Sequence, residues 1–122
     1  MKPETERWVR RADEDMGVAD AAWEREYNSA CLFHCQQAIE KLLKAALIES
    51  TGDYPKIHDL PALAGRLSLA LSEEQMRFLG KLSEQYIPTR YGDEWIEMPR
   101  EVVENYYRDT KELYLWLLQR LS

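Results

Sequence analysis

"SACLFHCQQAIEKLLKAALIES", residues 29–50, decides the fold. Cys31, Leu32, Cys35, Ala38, Ile39, Leu42, Leu43, Ala46 and Leu47 recur three and four positions apart. That is the period of an amphipathic helix, not the alternation of a strand. Asn28 or Ser29 offers a cap before it, and Gly52 and Pro55 stop it in "STGDYP". The far side of the same helix carries His34, Gln37, Lys41, Lys44 and Ile48 in a row, with Phe33 at its border.

Helical patterns continue in both directions. Upstream, Pro3 suits a first helical turn, and Glu4 and Glu6 complement the helix N-terminus. Trp8, Val9, Ala12, Met16, Ala19, Ala22 and Trp23 then mark a helix of about six turns, with Gly17 as a weak point. Downstream, Asp59 caps and Pro61 opens a short helix carrying Leu60, Leu63, Ala64 and Leu67. Ser72 and Gln75 have the spacing of a capping box. The helix after them turns Met76, Leu79, Leu82 and Tyr86 inward and ends at Pro88. Pro99 starts the last helix, with a stripe of Val102, Val103, Tyr106, Thr110, Leu113, Leu117 and Leu121. No stretch alternates like a strand, and the connections are short. The expected fold is all-α: one domain over residues 1–122, an up-and-down antiparallel bundle of four main helices plus one short helix.

Composition narrows the function. A chain of 122 residues is one domain's length, and 45% apolar content is globular. The formal net charge of −6 argues against a general nucleic-acid coat but leaves room for one local basic groove. No segment is long and apolar enough to span a membrane, and "MKPETERWVRRADED" lacks an apolar signal core, so a cytoplasmic protein is expected. The four Trp exceed what a thin bundle core accommodates, which points to a surface that meets a partner.

Chemistry is sparser. The row His34, Gln37, Lys41 and Lys44 reads either as a solvated helix face or as a cradle for phosphate; Tyr27, Phe33 and Ile48 nearby suggest a partly covered face. "CLFHC" resembles a metal site, but zinc wants four ligands and only His58 remains elsewhere, so no metal is expected and both cysteines read as reduced core residues. His58 before the capping Asp59 reads as a loop residue at a helix start. There is no Gly-rich phosphate loop, no nucleophile paired by spacing with a His and an acid, and no implied cofactor. "IPTRYGDEW", residues 87–95, breaks the helical run and places Arg90 beside Tyr91. A guanidinium next to a phenol ring can grip a phosphate and stack a base; Asp93 and Glu94 can instead pair with Arg90 locally.

With "SACLFHCQQAIEKLLKAALIES", "KIHDLPALAGRL" and "LSEQYIPTRYGD" in this order, the chain resembles the HEPN family along nearly its whole length. The run A-x5-Q-Q-A-x-E-K-x-x-K-A from Ala30 is the most specific piece. The resemblance implies an up-and-down bundle, usually a homodimer, often encoded with or fused to a minimal nucleotidyltransferase in toxin–antitoxin-type pairs. Other members of the family are metal-independent endoribonucleases whose site is an Arg followed four to six residues later by His. Here the corresponding positions after Arg90 hold Trp95, Ile96 and Glu97, so Arg90 lacks the usual proton carrier.

Three functions follow. In the first, the bundle binds a nucleotide or nucleotide-bearing polyanion through Arg90, Tyr91, Lys41, Lys44, His34 and Gln37 and pairs with a nucleotidyltransferase. In the second, it is an endoribonuclease toxin using Arg90 with a displaced His, either His58 or His34. In the third, it is a non-catalytic assembly module.

Overall fold

Pro3 opens α1 (Pro3–Glu24), with Glu4 and Glu6 in its first turn. It runs antiparallel to α2 (Asn28–Thr51): the Lys2 amide and the Thr5 hydroxyl both donate to Glu49, at 2.8 and 2.9 Å. These two bonds hold the Glu49 carboxyl below the usual carboxylate range. α3 (Leu60–Gly65) starts where Asp59 accepts from the Ala62 amide, and α4 (Glu73–Glu84) starts at the reciprocal Ser72–Gln75 capping box. α5 (Arg100–Leu121) closes the bundle. The computed structural model describes residues 1–85 and 98–121. Tyr86, Pro88, Arg90, Tyr91 and Trp95 lie outside the described residues.

Gly17 does not interrupt α1. Gly52 ends α2 in the left-handed region at φ 86°, where a residue without Cβ is least strained. The turn between α1 and α2 departs from expectation. Neither Asn28 nor Ser29 caps α2; Tyr27 occupies the cap position and no side chain caps it. Instead the Tyr27 amide donates to the Ala22 carbonyl and the Glu26 amide to the Trp23 carbonyl, a Schellman stop for α1 with Glu26 at φ 62°. Asn28 is engaged elsewhere: its Oδ1 accepts from Arg100 of α5 at 2.9 Å. The same guanidinium donates to the Trp23 carbonyl at 2.8 Å and lies 3.3 Å from the Trp23 ring centroid. One arginine thus closes three chain ends together.

α2 is the central helix. Of its 24 residues 13 are buried, more than a single apolar stripe can account for. α1 covers one side and α5 another, while α3 and α4 cover the rest. α5 lies antiparallel to α1, with Tyr107 donating to Asp20 and Tyr114 to Asp13 seven residues along each helix. Burial, together with the neighbouring carboxylate, pushes both phenols well above their usual range. Cys31 and Cys35 are free thiols in the core, and the Cys31 contact together with burial pushes the Cys35 thiol up. Trp8, Trp23 and Trp116 are each packed partly against neighbours, not displayed as an open aromatic surface.

Candidate functional site

The polar row of α2 is a covered seam. Ile48 and Lys44 are buried, whereas His34, Gln37 and Lys41 are half-buried, His34 and Lys41 against α1. The row is therefore only partly solvated. The reason lies in two carboxylates that close the row from within.

The first is Asp15 of α1, whose side chain is only 9% exposed. Its Oδ1 meets His34 Nδ1 at 2.8 Å and its Oδ2 accepts from Lys41 Nζ at 2.5 Å. A carboxylate oxygen accepts only, so Nδ1 is the donor in this contact. His34 and Lys41 stand two helical turns apart on α2, and one carboxylate holds both at the surface, about a quarter exposed each (26% and 27%).

The second is Glu40, buried within α2 itself. It accepts from Gln36 Nε2 and Lys44 Nζ, each at 3.0 Å, and its two oxygens lie 3.1 and 3.0 Å from His58 Nδ1. Gln37 Nε2 donates to the Gln36 side-chain Oε1 at 2.7 Å and extends the chain outward. The Lys44 ammonium is further enclosed by the Trp8 and Tyr54 rings, 6.0 and 5.4 Å from its nitrogen. Those rings meet edge to face at 4.9 Å. Lys44 is thus a paired interior cation, while His58 is more than half exposed above it.

The structure thus brings His34, Gln37 and Lys41 to one seam, folds Lys44 inside and sets His58 on a loop held to Glu40. Arg90 and Tyr91 lie outside the described residues. Asp15, Gln36 and Glu40 escaped the sequence reading. A signal existed for each: Asp15 falls among Ala12, Met16 and Ala19 on the buried side of α1, and Gln36, Glu40 and Lys44 follow one another every four residues. Among the described residues no group of three or more His, Cys, Asp or Glu could hold a metal ion. His34 faces Asp15, whereas Cys31 and Cys35 face the core.

Bundle and seam together define an all-α domain with four main antiparallel helices and one short helix among the described residues, and a His–Lys pair organised along its central helix. The HEPN domain family model matches residues 5–121, and the chain belongs to that family. Its fold is similar to the crystal structure of TT1696 from Thermus thermophilus, at TM-score 0.83 and 21% identity over 97% of this chain and 98% of that one. It is also similar to that of an archaeal HEPN homologue, at TM-score 0.76 and 22% identity over the whole of both chains. At these identities the likeness is one of fold. Comparison with curated proteins gives no match. Among the described residues no helix is long and apolar enough to cross a membrane.

Proposed function

We propose that this HEPN-family chain binds a nucleotide or nucleotide-bearing polyanion along the α1–α2 seam and works beside a minimal nucleotidyltransferase in a toxin–antitoxin-type pair. The binding half is carried by one observation: a single buried carboxylate fixes an imidazole and an ammonium side by side at the surface. Lys41 uses one of its three N–H donors on Asp15, which leaves two for a ligand oxygen. Gln37 stands between the two groups on the same helix face. Donors held in place before a ligand arrives lose little conformational freedom on binding. Arg90 and Tyr91 join this reading on their residue chemistry, and the nucleotidyltransferase partner on membership of the family. Calorimetric titration with ATP and a short single-stranded RNA tests the binding half. Lys41→Ala and Arg90→Ala should each weaken binding roughly 10–150-fold, the equivalent of one charge-assisted contact. Wild-type protein that binds neither ligand overturns the reading.

A second reading, endoribonuclease activity with a displaced His, is favoured by a different feature. Both His34 and His58 have Nδ1 against a buried carboxylate, the arrangement that frees Nε2 for proton transfer. Cleavage of single-stranded RNA in the presence of EDTA, lost in His34→Ala or His58→Ala, is its signature. An unchanged rate in both variants assigns any cleavage to a contaminant.

A further inference from the structure

α4 and α5 run antiparallel. The Gln85 side-chain amide, just past the end of α4, donates to the Tyr106 hydroxyl at 3.4 Å, while Ser72 at the start of α4 shares a hollow with Trp116 far along α5. The helices otherwise stand apart, and an open groove follows the gap. One stretch of it, about 480 Å³, lies between Arg77, Phe78 and Lys81 on one wall and Val102, Tyr106 and Asp109 on the other. A second, about 560 Å³, continues past Glu74 and Glu112 to Trp116. From Val102 to Trp116 the groove follows about four turns of α5, or about 21 Å. Its charges are sorted along that length. Arg77 and Lys81 stand one turn apart in one half, and among the described residues neither pairs with a carboxylate. Glu74 and Glu112 hold the other half and, among the described residues, pair with no cation. Between the halves sit the Phe78 and Tyr106 rings, 6.2 Å apart, and Asp109, with Arg108 3.6 Å from its carboxylate.

We propose that this groove docks an amphipathic helix of a partner protein, acidic in its first turn, apolar in the middle of the docking face and basic in its last turn. The acidic turn lies on Arg77 and Lys81, the apolar side chains on Phe78 and Tyr106, and the basic turn on Glu74 and Glu112. A long open trough between two helices is the shape that the side-chain ridges of a third helix fill. Such a charge order also suits the partner helix itself, since acidic groups near an N-terminus and basic groups near a C-terminus complement the macrodipole. The docked helix runs parallel to α5, and its N-terminus meets the C-terminal end of α4, where the partial charges are of opposite sign. A second copy presenting the same concave face would leave the trough unfilled. A chain of phosphates would meet Asp109, Glu74 and Glu112 over half the length, which disfavours nucleic acid.

The groove shares no residue with the α1–α2 seam, so it stands or falls apart from the nucleotide reading. Full-length protein is titrated calorimetrically with three synthetic helical peptides of equal length and identical apolar side chains. One is acidic in its first turn and basic in its last, one is acidic at both ends, and one is basic at both. The mixed peptide should bind roughly tenfold or more tighter than either uniform one. In the Arg77→Glu/Lys81→Glu double variant, with its fold checked by a thermal melt, the preference should pass to the basic peptide. Amide NMR shifts on adding the mixed peptide should fall on α4 and α5. Equal affinity for all three peptides, binding of none, or shifts confined to α1 and α2 each overturn the proposal. So does a folded Phe78→Ala variant that is monomeric where the wild type is dimeric, which assigns the groove to a second copy of the chain.

Discussion

Glu40 is the residue on which the interior depends most. It is a carboxylate in the middle of the central helix, 4% exposed, with an ammonium, an amide and an imidazole around it. Replacing it leaves the Lys44 ammonium buried without its counter-charge. Breaking a buried pair from one side costs about 3–5 kcal/mol, whereas exchanging both partners for apolar groups of similar volume is often neutral. Glu40→Ala should therefore lower the unfolding free energy by about 3–5 kcal/mol, and Glu40→Leu/Lys44→Met should recover most of the loss. Chemical denaturation of the two variants checks this. A single variant within about 1 kcal/mol of wild type means that Lys44 reaches water without Glu40, and the network is then incidental. Asp15 is the corresponding residue for the proposed binding site, since its removal would release His34 and Lys41 together. Neither carboxylate stood out among the 22 acids of the chain, because sequence reports a residue's type and helical phase but not which neighbour will cover it.

At the scale of the elements, the starts and stops that depend on local chemistry were legible. The Asp59 cap, the Ser72–Gln75 box and the Gly52 stop each bond within a few residues, so the information lies in adjacent positions. The turn between α1 and α2 was not legible. A Schellman stop normally advertises itself with Gly, and here the left-handed position is held by Glu26. The conformation persists because Arg100 fastens the Trp23 carbonyl and Asn28 across the turn. An L-residue there carries a strain of about 1–2 kcal/mol, partly offset in any glycine variant by the entropy of the unfolded chain. Glu26→Gly should stabilise the protein by about 0.5–1 kcal/mol, visible as a raised thermal midpoint. A lower midpoint would show that the Glu26 side chain makes a contact worth more than the strain.

At the scale of the whole molecule, exposed apolar side chains bear on assembly. Leu115 is 60% exposed on α5, Tyr27 57% at the α1–α2 turn and Val18 40% on α1, which leaves apolar groups outside a bundle whose tryptophans are already partly packed. Together with family membership this favours the proposed homodimer. Light scattering at micromolar concentration should return about twice the 14.4 kDa chain mass, and Leu115→Glu should shift the distribution toward monomer if α5 takes part. A single monomeric species throughout that range would end the proposal. The sequence by itself determined the type and order of the helices among the described residues, because hydrophobic period and capping are local properties written along the chain. It also singled out the α2 polar row. Only the tertiary structure decided what that row is. Laying α1 across one side of α2, and α5 across another, turns a row of surface donors into a seam closed by Asp15 and Glu40. The near-separation of α4 from α5 likewise leaves two helix stripes as the walls of a groove. The Glu40–Lys44 pair has a spacing within one helix, but Asp15 meets His34 and Lys41 from another helix, and no spacing within α2 encodes that.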